Sequence, residues 1–164
     1  MKDQKIKYMC ITGIMTALVF VLTAYLHIPV HTGYTHIGDG FIYLAACILP
    51  LPYGLFVGAV GALLADCLTG YALWAPASVV IKGLTVLFFV RNRKKLLNLR
   101  NIVALVPAGT LCVGGYYLYE ALITGNFAAP LAGILGNVTQ WLFSTLLFVL
   151  VALAFDRFDL KNKL

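Results

Sequence analysis

Between Tyr8 and Phe155 charged side chains occupy only nine positions, and five of those fall in the one stretch 91–100. The remainder is apolar, arranged in blocks separated by short breaks. Blocks of this length and hydrophobicity are stable as helices in a bilayer, where each backbone N–H and C=O must be satisfied within the protein. The whole chain agrees with its pattern. Of 164 residues, 62% are hydrophobic and 11% charged, with a mean hydropathy of +0.93. A soluble domain carries about 25% charged residues, so a cytosolic enzyme, a disordered tail and a nucleic-acid-binding domain are all excluded. At about 20 residues per spanning helix, there is room for six helices and no separate extramembrane domain.

The expected fold is all-α: a single transmembrane domain over 1–164, with spans at about 8–27, 37–51, 53–70, 75–90, 101–123 and 130–155. Pro76 and Pro130 stand in the first turns of the fourth and sixth spans, where a missing N–H costs nothing. The second span is short and is closed by Pro50 and Pro52. The first follows a basic start, but lacks a small-residue cleavage site and reads as a retained helix. Basic residues set the orientation. Lys2, Lys5 and Lys7, then Arg91, Arg93, Lys94, Lys95 and Arg100, then Arg157, Lys161 and Lys163 are eleven of the twelve Lys and Arg. The connections 28–36, 70–74 and 124–129 contain none. With six spans all the basic segments fall on one side, so the positive-inside rule puts both termini in the cytoplasm of a multi-pass cell-membrane protein. The net charge of +6 follows from that topology.

Ionisable groups inside a bilayer are costly and mark function. Asp39, Asp66, Lys82 and Glu120 all fall in the outer half of their spans, with His36 beside Asp39. Asn137 and Gln140 lie at similar depth in the last span. Their i, i+3 spacing sets both amides on one helix face with Gly133 and Gly136, which leave room beside them. Polar groups from five helices at one depth read as an outward-facing cavity. Asp66 and Lys82 are a candidate ion pair, because a lone charge at either site would be expensive. Trp141 follows the Asn137 face and is a candidate for stacking on a flat ligand. Tyr34 and Trp74 belong to a set of outer aromatic residues that suits an interfacial belt and the mouth of the cavity.

Other chemistry is weaker. Cys10, Cys47, Cys67 and Cys112 lie in apolar stretches and read as small buried hydrophobes. His27, His31 and His36 fit no compact metal motif, though a histidine-dependent metal-uptake protein is an alternative, as is a stand-alone solute facilitator. Walker A, H-E-x-x-H and G-x-S-x-G sequences are absent, so the chain has no ATPase of its own and reads as a non-enzyme without cofactor or bound metal.

The order Gly38-Asp39-Gly40, Pro52-Tyr53-Gly54, Gly58, Gly61, Asp66, Gly70-Tyr71, Trp74-Ala75-Pro76 and Lys82-Gly83 resembles the substrate-specific S components of energy-coupling factor (ECF) vitamin importers. Gly136-Asn137-Val138-Thr139-Gln140 resembles their final Asn/Gln segment. Gly13-x-x-x-Ala17 followed by Val21 is similar to their alanine-rich docking motif, without a strict Ala-x-x-x-Ala. The resemblance implies a membrane subunit that captures a small vitamin or precursor from outside. Its partners would be a transmembrane coupling subunit and two cytoplasmic ATPases. Pyridoxine or hydroxymethylpyrimidine is the closest cargo by pattern. The implied binding residues are Asn137, Gln140, Trp141, Lys82, Asp66, Glu120, Asp39, His36, Tyr34 and Trp74.

Overall fold

The computed structural model describes residues 2–30, 33–91 and 94–163. Among them the chain forms α1 (Lys2–Ala24), a hairpin of β1 (His27–Val30) and β2 (Gly33–His36), α2 (Asp39–Ile48), α3 (Leu51–Leu68), α4 (Ala75–Val86), α5 (Leu99–Thr124), α6 (Ile134–Arg157) and a one-turn α7 (Leu160–Lys163). Short 3-10 turns, Ala72–Trp74 and Ala129–Gly133, lead into α4 and α6. Four segments are long and apolar enough to cross a membrane: α1, α3, α5, and α6 with its leading turn. At most 39% of each spanning window is buried. Side chains such as Leu63, Val106, Leu122, Leu135 and Leu150 therefore point outward, as a lipid solvent requires.

α2 departs most from expectation. Its helix covers ten residues, short of the predicted 37–51, and nine of the ten are buried. A helix apolar on every side belongs inside protein rather than against lipid. Its stop is local. Pro50 disfavours helical geometry at Leu49, whose ψ is 152°, and the chain turns at once into α3 with Pro52 in the first turn. Around α2 pack Val19, Val57, Val86, Phe89, Ala104 and Phe148, and Tyr43 stacks on Phe89 with ring centroids 5.0 Å apart. The fourth helix ends at Val86 rather than near residue 90.

The hairpin replaces a stretch expected to be bare loop. Its register sets His27 opposite His36, Ile28 opposite Thr35, Pro29 opposite Tyr34 and Val30 opposite Gly33. Proline is tolerated because the ribbon has only edge strands. The β-branched residues Ile28, Val30 and Thr35 were the available strand signal.

At the opposite, basic end, two side chains clamp the α4–α5 connection. Asn101, fully buried, accepts the Val90 N–H at 2.9 Å and donates to Val90 O and Leu96 O at 3.2 and 3.0 Å. Asp156 in α6 accepts the N–H groups of Leu96 and Leu97 at 2.7 and 3.0 Å.

Candidate functional site

The hairpin lies across the ends of α3, α5 and α6 and closes a cavity of about 460 Å³, its open mouth included. Val30, Gly33, Tyr34 and His36 come from the hairpin, Asp66 from α3, and Trp74 and Ser78 from the start of α4. Tyr116 and Glu120 come from α5, and Gly133, Asn137 and Gln140 from the α6 entry. Seven of the ten residues expected to bind cargo therefore line one cavity: Tyr34, His36, Asp66, Trp74, Glu120, Asn137 and Gln140.

The other three lie elsewhere. Lys82 and Asp39, neither of them a lining residue, form a buried ion pair, Nζ to Oδ2 2.7 Å, both 2% exposed. The expected Asp66–Lys82 pair is therefore corrected: Lys82 reaches across to the first residue of α2. Gln140 Nε2 donates to the same Asp39 oxygen at 3.0 Å. The Lys82 ammonium also stands 5.1 Å from the centre of the ring of Tyr116, which lines the cavity. Trp141 is corrected as well. Its indole N–H donates to Leu105 O at 2.8 Å and its ring covers Gly109, so it fills the α5–α6 seam.

Why Asp39 starts α2 here follows from its two glycine neighbours. The Gly38 N–H donates to His36 Nδ1 at 3.1 Å. A Cβ on Gly40 would stand 2.8 Å from Ser144 O, so only glycine lets α2 press against α6 at this point. Gly136 does not keep space for a ligand. A Cβ there would meet Val30 Cγ2 at 3.0 Å, and Thr35 Oγ1 donates to Gly136 O at 3.1 Å, so this glycine seats the hairpin.

Inside the cavity the Tyr34 hydroxyl donates to Asp66 Oδ1, while Asp66 Oδ2 is buried with no partner among the described residues. Ser78 Oγ and Tyr116 Oη are 2.8 Å apart. Ser78 and Tyr116 are lining residues that the sequence reading did not assign to binding. Burial, then the Asp66 carboxylate, holds the Tyr34 phenol well above its ordinary range.

The sequence pattern of the family described as ECF-type riboflavin transporter, S component, matches residues 3–157. The chain belongs to that family. ECF S components are multi-pass plasma-membrane proteins that bind substrate for a transporter, and they are not enzymes. One further similarity is partial. An uncharacterised protein of Pyrococcus woesei, "in gap 3′ region", is 45% identical over 56 residues, which is 34% of this chain and 37% of that protein. The match thus spans about a third of either length.

In this S component His27 and His36 belong to the hairpin. His27 Nδ1 lies 2.7 Å from Ala24 O, and His36 Nδ1 also faces Thr23 Oγ1 at 3.3 Å. His31 lies outside the described residues. Among the described residues no three His, Cys, Asp or Glu side chains come close enough to hold a metal, so the metal-uptake alternative gains no support.

Burial lowers the His36 imidazole from 6.5 to about 4; Asp39 opposes this, while Lys82 and His27 add to it. The group is thus neutral in the folded protein and protonates in the unfolded chain near 6.5. The unfolded state binds more protons between those values, so stability falls as pH drops through that window. At about 1.4 kcal/mol per pKa unit, the loss is on the order of 3 kcal/mol. Unfolding in detergent at pH 7 and pH 4.5 measures it. A His36→Asn variant should show a flatter pH profile, and an unchanged profile would clear His36 of this role.

Proposed function

We propose that the chain as a whole, residues 1–164, is one transmembrane cargo-binding domain that crosses the membrane six times. α2 and α4 serve as its short crossings, and both termini are cytoplasmic. The clustering of eleven Lys and Arg in three sequence segments supports this orientation, and none of those among the described residues lines the cavity. The protein captures a small vitamin or precursor from outside, with pyridoxine or hydroxymethylpyrimidine the favoured cargo. It delivers that cargo to a separate coupling subunit that works with two ATPases. Docking runs through the outward face of α1, where Gly13, Ala17 and Val21 are all exposed. A Cβ on Gly13 would meet nothing within 4 Å, so another helix can approach closely there.

The observation that carries this reading is the half-closed cavity lined by polar groups from the hairpin and four helices. The Asn137 amide, like Asp66 Oδ2, makes no hydrogen bond among the described residues. Buried polar groups are normally partnered, so the cavity is built for a ligand that completes them. Riboflavin is the second reading, because it is the cargo in the family's description.

Protein purified from cells grown in rich medium is to be denatured and the released small molecules identified by mass spectrometry. One vitamin or precursor per chain is expected, and empty protein that also binds none of these compounds on addition would refute the proposal. Asn137→Leu should weaken binding by about 10–100-fold, the cost of one lost hydrogen bond and an unpaired ligand group, with the unfolding midpoint little changed. Equal affinity would remove Asn137 from the site.

A further inference from the structure

Resting on that reading, the charges around the cavity say which form of cargo it accepts. The chain has twelve Lys and Arg, and eleven lie in the segments at 2–7, 91–100 and 157–163. The twelfth, Lys82, is already matched to Asp39 at 2.7 Å and stands 5.1 Å from the centre of the Tyr116 ring. Among the described residues no lysine or arginine lines the cavity, whereas two carboxylates, Asp66 and Glu120, do.

Asp66 is the sharper of the two. It is 2% exposed, and one oxygen is occupied by the Tyr34 hydroxyl. The other, Oδ2, is buried and unpartnered among the described residues. A buried carboxylate oxygen left in this state is costly, and an N–H donor from a ligand removes the cost. A carboxylate accepts on both oxygens, and each has room for more than one donor. An amino group beside a ring nitrogen carrying hydrogen presents two parallel N–H bonds to such an acceptor, and charge assistance strengthens both. A phosphate monoester would instead bring between one and two negative charges toward Asp66 and Glu120, where no lysine or arginine among the described residues lines the cavity to receive them.

We infer that Asp66 is the specificity-determining residue of the cavity. It takes cargo as an unphosphorylated, neutral or cationic nitrogen heterocycle whose N–H edge donates to Oδ2, and it rejects the phosphorylated form of the same compound.

The test is binding by the intact chain in detergent to three alcohol–phosphate pairs. These are hydroxymethylpyrimidine, pyridoxine and riboflavin, each beside its monophosphate. At least one alcohol should bind, with its phosphate weaker by about 100-fold, the scale of a like-charge contact in a desolvated site. Asp66→Asn should weaken that alcohol by about tenfold or more and narrow the gap to its phosphate. A phosphate that binds as well as its alcohol overturns the inference while leaving the cargo-binding role intact. So does an Asp66→Asn variant with unchanged affinities. If that variant does not fold, the wild-type comparison decides alone. A co-purified compound outside the three pairs decides by its own charge, an anion being contrary. Binding of none of the six, with protein isolated empty, refutes the cargo-binding role and this inference together.

Discussion

Lys82→Met is expected to lower the stability of the S component by about 3–5 kcal/mol, the usual cost of removing one partner of a buried ion pair. The loss comes mainly from what is left behind. Asp39 is 2% exposed, and its Oδ1 already has no partner among the described residues. Without the ammonium its remaining donor is the Gln140 amide, 3.0 Å from Oδ2. A neutral amide compensates poorly for a desolvated carboxylate. Removing both charges together should therefore cost less than the lysine alone, because the stranded carboxylate goes too. Thermal unfolding of Lys82→Met, Asp39→Asn and the double variant in one detergent measures this coupling. Additive losses would mean that the pair contributes no mutual stabilisation. Cargo affinity should fall in both single variants, because Gln140 is shared between the pair and the cavity wall.

That pair also shows what could be read from the sequence and what could not. Depth along each helix put Asp39, Asp66, Lys82, Glu120, Asn137 and Gln140 at one level, and the fold gathers them within one polar region. Depth gives no azimuth, so it could not tell Asp39 from Asp66 as the partner of Lys82. The answer lies in α2, whose first residue is wedged inward between Gly38 and Gly40 by contacts with α1 and α6. Trp141 failed for a related reason. Its neighbours in sequence face the cavity, but one step of about 100° along a helix turns it into the seam over Gly109. The hairpin was hidden by its shortness. Two strands of four residues, one carrying a proline, give too little alternation to separate from loop. Asn101 and Asp156 were missed because their partners are backbone groups of a distant connection, and no spacing rule encodes those contacts.

Gly58→Val should be the most damaging single change that touches no polar group of the site. A Cβ at Gly58 would lie 2.7 Å from the carbonyl oxygen of Lys82 and 3.2 Å from its carbonyl carbon, with Ile42 Cγ2 at 3.3 Å. The obstacle is helix backbone, which cannot rotate aside as a long side chain does. α4 must move away from α3 or the variant must strain. Overpacking of a tight core typically costs about 1–3 kcal/mol. Here the residue pushed outward is Lys82 itself, so the same displacement lengthens the 2.7 Å contact to Asp39. The loss should accordingly lie at or above the top of that range and carry a fall in cargo affinity with it. Gly83→Ala is the matched control. It lies in the same stretch of α4, and a Cβ there would meet nothing within 4 Å. Replacing an interior helix glycine by alanine favours the helix by about 0.8–1.0 kcal/mol, so its midpoint should hold or rise. Unfolding midpoints and cargo titrations of the two variants separate the effects. If Gly58→Val unfolds and binds like wild type, the α3–α4 seam is not close-packed and does not hold Lys82 in place. If it unfolds earlier but binds normally, the seam supports the fold without positioning the ion pair. Loss of both is the result expected from a glycine that sets how near α4, and with it the Lys82 ammonium, comes to Asp39.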